Sequence, residues 1–220
     1  MIRLYTMEQP RSVSKKDIDA AKETIKDTGR FVHRDLETHR QAFSLQSFDD
    51  FAGKRVLDLG SGFGLPFARQ LENVGVEANV ISFSPAFADK ATASLTREER
   101  LADQQGKLMV AGMGEELPFA DNSFDRVVSL SVVEHLETRE RYLAFLREVV
   151  RVLVPEGIAY ISPMIEEISG GHKIPAGNVM PKAELEQLLE NTVDAHWNTF
   201  QQEDRRGVHT FYNLTLTKKT

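Results

Sequence analysis

The chain has 220 residues, 41 % of them hydrophobic, enough to bury a full core and consistent with one domain plus an N-terminal segment. Asp and Glu number 33 against 27 Lys and Arg, so nucleic acid and anionic membranes are poor partners; the basic pairs Arg205-Arg206 and Lys218-Lys219 are too short to track a phosphate backbone. The absence of cysteine excludes disulfide and thiolate chemistry. No apolar run nears the roughly 20 residues of a membrane span, and the N-terminus mixes charges too early for a signal peptide, so a cytoplasmic protein is expected.

In chain order, residues 15–30 place Ile18, Ala21 and Ile25 at helical spacing with Gly29 as a stop, and a second helical stretch is expected around Phe31–Phe43. These helices predict a lid over residues 1–48, preceding a main domain at 49–220. Arg55–Leu59 reads as a short apolar strand that runs into glycines at 60, 62 and 64. A helix opens at once, with Pro66 in its first turn; Phe67, Ala68, Leu71 and Val74 form one face and Gly75 closes it. Val76–Phe83 is the second strand, Ser84-Pro85 starts a helix toward Leu95, and Lys107–Ala111 is a third short strand.

Asp121-Asn122-Ser123 turns the chain into a fourth strand, Phe124–Leu130. Arg139–Leu153 is a helix with Tyr142, Leu143, Leu146, Val149, Val150 and Leu153 inward. Pro155-Glu156-Gly157 leads to a fifth strand, Ile158–Ser162, and then to a polar loop with Gly170, Gly171, Pro175 and Gly177. Pro181–Asn191 is a helix, and Asp194–Gln201 and Val208–Thr217 form a hairpin through Gln202–Gly207. Strands alternating with helices predict an α/β fold, a mostly parallel sheet covered on both faces.

The stretch Val-Leu-Asp-Leu-Gly-Ser-Gly-Phe-Gly at 56–64 carries the functional reading. Glycine admits positive φ and lets a ligand approach bare backbone, and the free N–H groups at a helix start favour an anionic group. A strand, a glycine loop and a helix in this order read as a nucleotide-type cofactor loop, with an ordinary tight strand-to-helix turn as the alternative. The dinucleotide fingerprint is G-x-G-x-x-G, whereas this loop is Gly60-x-Gly62-x-Gly64 preceded by Asp58.

Two further blocks follow in order. One is Glu116-Leu117-Pro118-Phe119, then Asp121-Asn122-Ser123-Phe124-Asp125 and Val127-Val128-Ser129. The other is Val133-Glu134-His135-Leu136, then Arg151-Val152-Leu153 and Pro155-Glu156-Gly157. With these blocks over roughly residues 50–165, the chain resembles the small-molecule branch of class I S-adenosylmethionine-dependent methyltransferases. The resemblance implies a Rossmann-like three-layer sandwich, with a mostly parallel seven-stranded sheet ending in an antiparallel hairpin. It implies S-adenosyl-L-methionine as cofactor, with Asp58 and the backbone at Gly60 and Gly62 holding its amino-acid end, and Ser61 and Gly64 completing the loop. Ser129 and Leu130 would lie beneath the methionine portion, Phe83 would pack on adenine or ribose, and Gly114 and Glu115 would border the adenine.

The chain departs from the family at two positions. Where the family ends strand two with an acid on the ribose hydroxyls, this chain has Ser82; where an aspartate contacts the adenine amino group, it has Met113. A hydrogen bond to a charged group is worth about 1.5–3 kcal/mol. Losing two without replacement would weaken binding by a factor on the order of 100 to 10,000. These positions therefore motivate an alternative: a methyltransferase fold with lost or altered cofactor use, serving as a binding subunit or catalysing other chemistry such as a cyclisation.

Two histidines are candidate catalytic groups. His135 falls just beyond strand four, where an imidazole could act as a general base or serve a structural role. His172 lies in the glycine-containing loop after strand five, which should overhang the substrate. Glu166 and Glu167, adjacent rather than aligned, are weak candidates for paired acid–base work; Glu134 reads as a helix-entry acid, His33, His39, His196 and His209 as structural, and Trp197 as core. No ligand spacing suggests a metal. Methyl transfer needs mainly alignment and an acceptor for any proton, so few dedicated residues are required. The expected partner is a small-molecule substrate, without nucleic acid or membrane, and a homodimer is compatible with the sequence.

Overall fold

A computed structural model describes residues 14–19, 36–61, 66–85, 108–136, 138–164, 182–204 and 207–220. After a helical turn at 15–19, capped by the Ser14 hydroxyl accepting from the Asp17 N–H at 3.2 Å, the described elements begin with α1 (Leu36–Ala42). A 3-10 turn (Asp49–Phe51) leads into β1 (Arg55–Leu59), α2 (Pro66–Asn73), β2 (Asn79–Phe83), β3 (Leu108–Val110) and β4 (Phe124–Leu130). A second 3-10 turn (Val133–His135) precedes α3 (Arg139–Val152), β5 (Leu153–Met164), α4 (Lys182–Leu189), β6 (Val193–Asp204) and β7 (Gly207–Lys218). The seven strands form one sheet in the order β3-β2-β1-β4-β5-β7-β6. β1 to β5 pair in parallel, while β7 runs antiparallel to β5 and β6. Strand order reverses between β1 and β4, and open α/β sheets take ligands in the crevice at that point.

Side chains alternate along each strand, which gives the sheet two cores. On one face Val56, Val128 and Tyr160 pack against Phe67 and Leu71 of α2 and against Phe43, Leu45, Phe48 and Phe51. On the other, Leu57, Leu59, Val127 and Ile161 meet Phe145, Leu146 and Val149 of α3 and Leu185 of α4. Thr138 caps α3 by accepting from the Arg141 N–H at 3.3 Å. Phe145, fully buried, was not among the expected inward residues.

The first core corrects the proposed boundary at residue 48. Phe43 lies 6.3 Å from Phe67 and 6.0 Å from Tyr160, centroid to centroid, and Phe48 lies 6.3 Å from Phe67. Ala42, Phe43, Leu45 and Phe48 are all buried, so a cut before Asp49 passes through a core. Polar contacts tie the same region down. Arg126 donates to Asp50 at 2.6 and 2.5 Å, and the Tyr160 hydroxyl donates to Asp50 at 2.9 Å. Buried Asn213 accepts from the Ser162 hydroxyl at 2.7 Å and donates to Gln41 O at 3.4 Å and the Ser44 hydroxyl at 3.3 Å. Of the expected lid, residues 1–13 and 20–35 lie outside the described residues.

Smaller corrections concern element ends. β2 starts at Asn79 rather than Val76, and Val74, beyond the end of α2, is exposed while Val76 takes the buried place. β5 is longer than expected, because the pairing with β4 slips between Phe124 and Arg126 and absorbs the turn at Glu156, whose φ is 62°. The hairpin pairs onward to Asp204 and Gly207, past the expected loop. Trp197, on edge strand β6, is partly buried and packs against the core on the α3 face as expected, with Lys182 Nζ 5.5 Å from its ring centroid. The expected helix beyond Pro85 and the loop after Met164 lie outside the described residues.

Candidate functional site

β1 delivers Asp58 to its last turn of pleat, in register with Ser82 of β2 and Val128 of β4. Parallel neighbours in register share a face, so Asp58 and Ser82 stand side by side. Asp58 is 7 % exposed, its Oδ2 has no partner among the described residues, and burial pushes its carboxyl up to about 7. The hydroxyls of Ser61, Ser82 and Ser129 are also buried without a partner among the described residues. Ser129, one residue past Val128, turns to the opposite face, and Leu130 returns to that of Asp58.

Buried polar atoms are almost always hydrogen-bonded. Four such groups, Asp58 and Ser82 on one face, Ser129 on the other and Ser61 just past β1, cluster at the carboxyl ends of three adjacent strands and make these ends the candidate polar site. The loop above them is equally specific. Gly60 has φ +85°, and a Cβ there would lie 2.1 Å from Val132 Cγ2, so only glycine fits. The N–H groups of Gly60 and Ser61 both donate to Phe83 O, at 2.8 and 3.2 Å, which draws the loop across the end of β2.

Met113, Gly114 and Glu115 are partly exposed at the start of a turn in which the Glu116 N–H donates to Met113 O at 3.1 Å. Behind them Gly114 rests on Phe145, since a Cβ would come within 2.9 Å of its ring. Glu115 is ion-paired with Arg141. Further along, the Leu117 N–H donates to Glu148 at 2.6 Å. Arg151 donates to Glu148 at 2.7 and 2.8 Å, to Phe119 O at 2.7 Å, to Leu117 O at 3.0 Å and to Asp121 at 2.8 Å.

Phe83 requires a correction. Its ring is 1 % exposed, lies 5.8 Å from Phe119, and would meet a Cβ on Gly112 at 2.4 Å. It is committed to the core on the α3 face, away from Asp58 and Ser82, and does not offer a stacking surface. His135 is exposed in the 3-10 turn, its N–H donating to Val132 O at 2.9 Å. His172, Gly62, Gly64, Glu166 and Glu167 lie outside the described residues. His39, expected to be structural, is buried beside Phe67 and Phe43, at 5.4 and 5.9 Å. Among the described residues no cluster of His, Asp and Glu could hold a metal, and no helix is long and apolar enough to cross a membrane.

Sequence reasoning missed Val132, which fills the space above Gly60, and the side chains of α3 that grip residues 115–121. Arg141, Glu148 and Arg151 fall at i, i+7 and i+10, one stripe of a helix. That periodic charge was the available signal.

A methyltransferase domain model matches residues 57–161. The ubiquinone/menaquinone biosynthesis C-methyltransferase UbiE of Vibrio cholerae is 28 % identical, the match covering 74 % of this chain and 68 % of that protein. Among solved structures, Burkholderia thailandensis 1,6-didemethyltoxoflavin-N1-methyltransferase, with 1,6-didemethyltoxoflavin and S-adenosylhomocysteine bound, aligns at TM-score 0.61 and 20 % identity over 97 % of this chain and 94 % of its own. The 4+2 cyclase SpnF aligns at TM-score 0.60 and 17 % identity over 98 % of this chain and 99 % of its own. At such identities the two structures establish a common fold.

Proposed function

The chain belongs to the class I S-adenosylmethionine-dependent methyltransferases, and from that premise we propose that it methylates a small-molecule acceptor at oxygen, nitrogen or carbon. The observation that carries the reading is the set of four orphaned polar atoms at Asp58, Ser61, Ser82 and Ser129, beneath a loop that only glycine can form. These residues fit the cofactor. Asp58 would take its ammonium group, Ser82 a ribose hydroxyl, and the backbone of Gly60 and Gly62 its close approach. Ser129 and Leu130 would support the methionine portion, and the Met113–Glu115 turn would border the adenine.

When bound, the cofactor supplies an electrophilic methyl on a sulfonium sulfur. The chain's own contribution is alignment and exclusion of water. Asp58, protonated near neutral pH when alone, would ionise against the ammonium and hold it by a charge-assisted bond. His135, exposed just past β4, would accept a proton from an acceptor that carries one, and His172 is the second candidate. The acidic net charge of −6 favours a small acceptor over nucleic acid, and a cytoplasmic setting belongs to the same proposal.

A second reading, non-methyl-transfer chemistry on the same fold, is favoured by Ser82 and Met113 standing where acids are expected and by the likeness to a cyclase. Calorimetric titration with S-adenosylhomocysteine, followed by transfer of labelled methyl to candidate quinol, amine and heteroaromatic acceptors, separates the two. Binding with methyl incorporation supports the first reading. Binding without incorporation across that range favours the second, and absence of binding refutes cofactor use altogether.

A further inference from the structure

We propose that Arg151 and Glu148 are positioning residues for the cofactor, a clamp on α3 that sets the height of the Met113–Glu115 turn; the proposal rests on the cofactor-binding reading above. The segment from residue 111 to residue 123, between β3 and β4, contains no strand or helix of its own. Its backbone therefore has no ladder to fix it. Leu117 and Phe119 bury their side chains, and the Asn122 and Ser123 N–H groups donate to Arg151 O and Val152 O at 3.1 and 2.8 Å, which anchors the far end of the segment; apolar burial is non-directional and does not by itself set the height of the chain at Leu117 and Phe119.

Polar side-chain contacts set that height. All five N–H donors of Arg151 are used: two on the Glu148 carboxylate, one on Asp121, and one each on Leu117 O and Phe119 O. Glu148 returns a bond by accepting from the Leu117 N–H. The fork thus grips the main chain at Leu117 and Phe119, on both sides of Pro118, which has no N–H to give. About two turns from Glu148 toward the start of α3, Arg141 holds Glu115 by its ion pair. The turn expected to border the adenine is suspended between these two grips, with Gly114 pressed against Phe145 beneath it.

A planar guanidinium suits this task because its donors are fixed relative to one another; a lysine ammonium can satisfy the charge but not both carbonyls and the carboxylate together. The role differs from bulk stabilisation. Arg55 and Asp125 make a comparable part-buried ion pair, with bonds at 3.0 and 3.0 Å, at the opposite end of β1 and β4. Its hydrogen bonds run from Arg55 to the Asp125 carboxylate, outside the 111–123 segment.

The test compares Arg151→Lys and Glu148→Gln with the control Arg55→Met. S-adenosylhomocysteine affinity is measured by calorimetry at a temperature where circular dichroism shows each variant folded. Hydrogen exchange of residues 111–121 is measured in the ligand-free proteins. Arg151→Lys should weaken binding about tenfold and speed exchange in this segment, as expected for losing one or two backbone contacts. Glu148→Gln, nearly isosteric, should do the same to a smaller degree, and Arg55→Met should lower Tm while leaving affinity unchanged. Faster exchange with unchanged affinity overturns the proposal, as does an equal affinity loss in Arg55→Met. If the unaltered chain binds no S-adenosylhomocysteine, the functional reading falls and the clamp with it; if it binds and Arg151→Lys binds equally well, only the clamp is refuted.

Discussion

A chain beginning at Asp49 should fail to fold. The cut removes Phe43, Leu45 and Phe48, each at most 8 % exposed, from a core shared with Phe51, Val56, Phe67, Val128 and Tyr160. Truncating a buried Phe costs about 3–5 kcal/mol and a buried Leu about 2–5 kcal/mol, so the three together remove roughly 8–15 kcal/mol. Domains of this size are stable by only about 5–15 kcal/mol in all. The cut also takes Gln41 O and the Ser44 hydroxyl from Asn213, leaving a buried amide without two of its partners, at about 1–3 kcal/mol more. Neighbouring losses are not additive, but even the lower figure consumes most of the stability. Far-UV circular dichroism and urea titration of the truncated chain, with Phe43→Ala in the full chain as a graded companion, measure the effect. Phe43→Ala should lose about 3–5 kcal/mol. A truncated chain that unfolds cooperatively near the full-length midpoint would refute this account of the core and restore a detachable lid.

Asp58 makes stability depend on pH. Between its model-peptide value of 3.8 and its folded value of about 7 the carboxyl holds a proton only in the native state. Ligand-free stability should therefore fall as pH rises through that window, by up to about 4 kcal/mol. Asp58→Asn should flatten the slope in urea titrations from pH 4 to pH 8 while abolishing S-adenosylhomocysteine binding; an unchanged slope would show that Asp58 is not the group responsible. Gly60→Ala should prevent binding and lower Tm, since the new Cβ meets Val132 at 2.1 Å in a backbone conformation that disfavours any side chain; binding at full affinity would contradict the loop geometry. Ser82→Asp should tighten S-adenosylhomocysteine binding by a charge-assisted bond to the ribose, yet destabilise the ligand-free chain by burying a second carboxyl beside Asp58. Equal or weaker binding in calorimetry would place the ribose elsewhere.

The order of elements, the switch from strand to glycine loop to helix at Leu59–Pro66, and β4 at Phe124–Leu130 were legible in the chain because their signals are local. Side-chain period, proline and glycine act within a few residues of themselves. The same locality singles out Asp58 and Gly60 as candidates from the sequence. What the tertiary structure decided is everything that depends on residues far apart in sequence. Phe83 looked like a ligand contact from its place at a strand end, but register with β1 turned its ring inward to Phe119. Phe43 and Phe48 looked like lid residues, and became core because Phe67 and Tyr160, distant in sequence, close around them. The raised pKa of Asp58 arises from burial rather than from any neighbour in the chain. The grip of Arg151 on Leu117 and Phe119 spans more than thirty residues. Local propensity writes the elements, and only packing, by removing water from one face of each and not the other, assigns a side chain to the core or to the site.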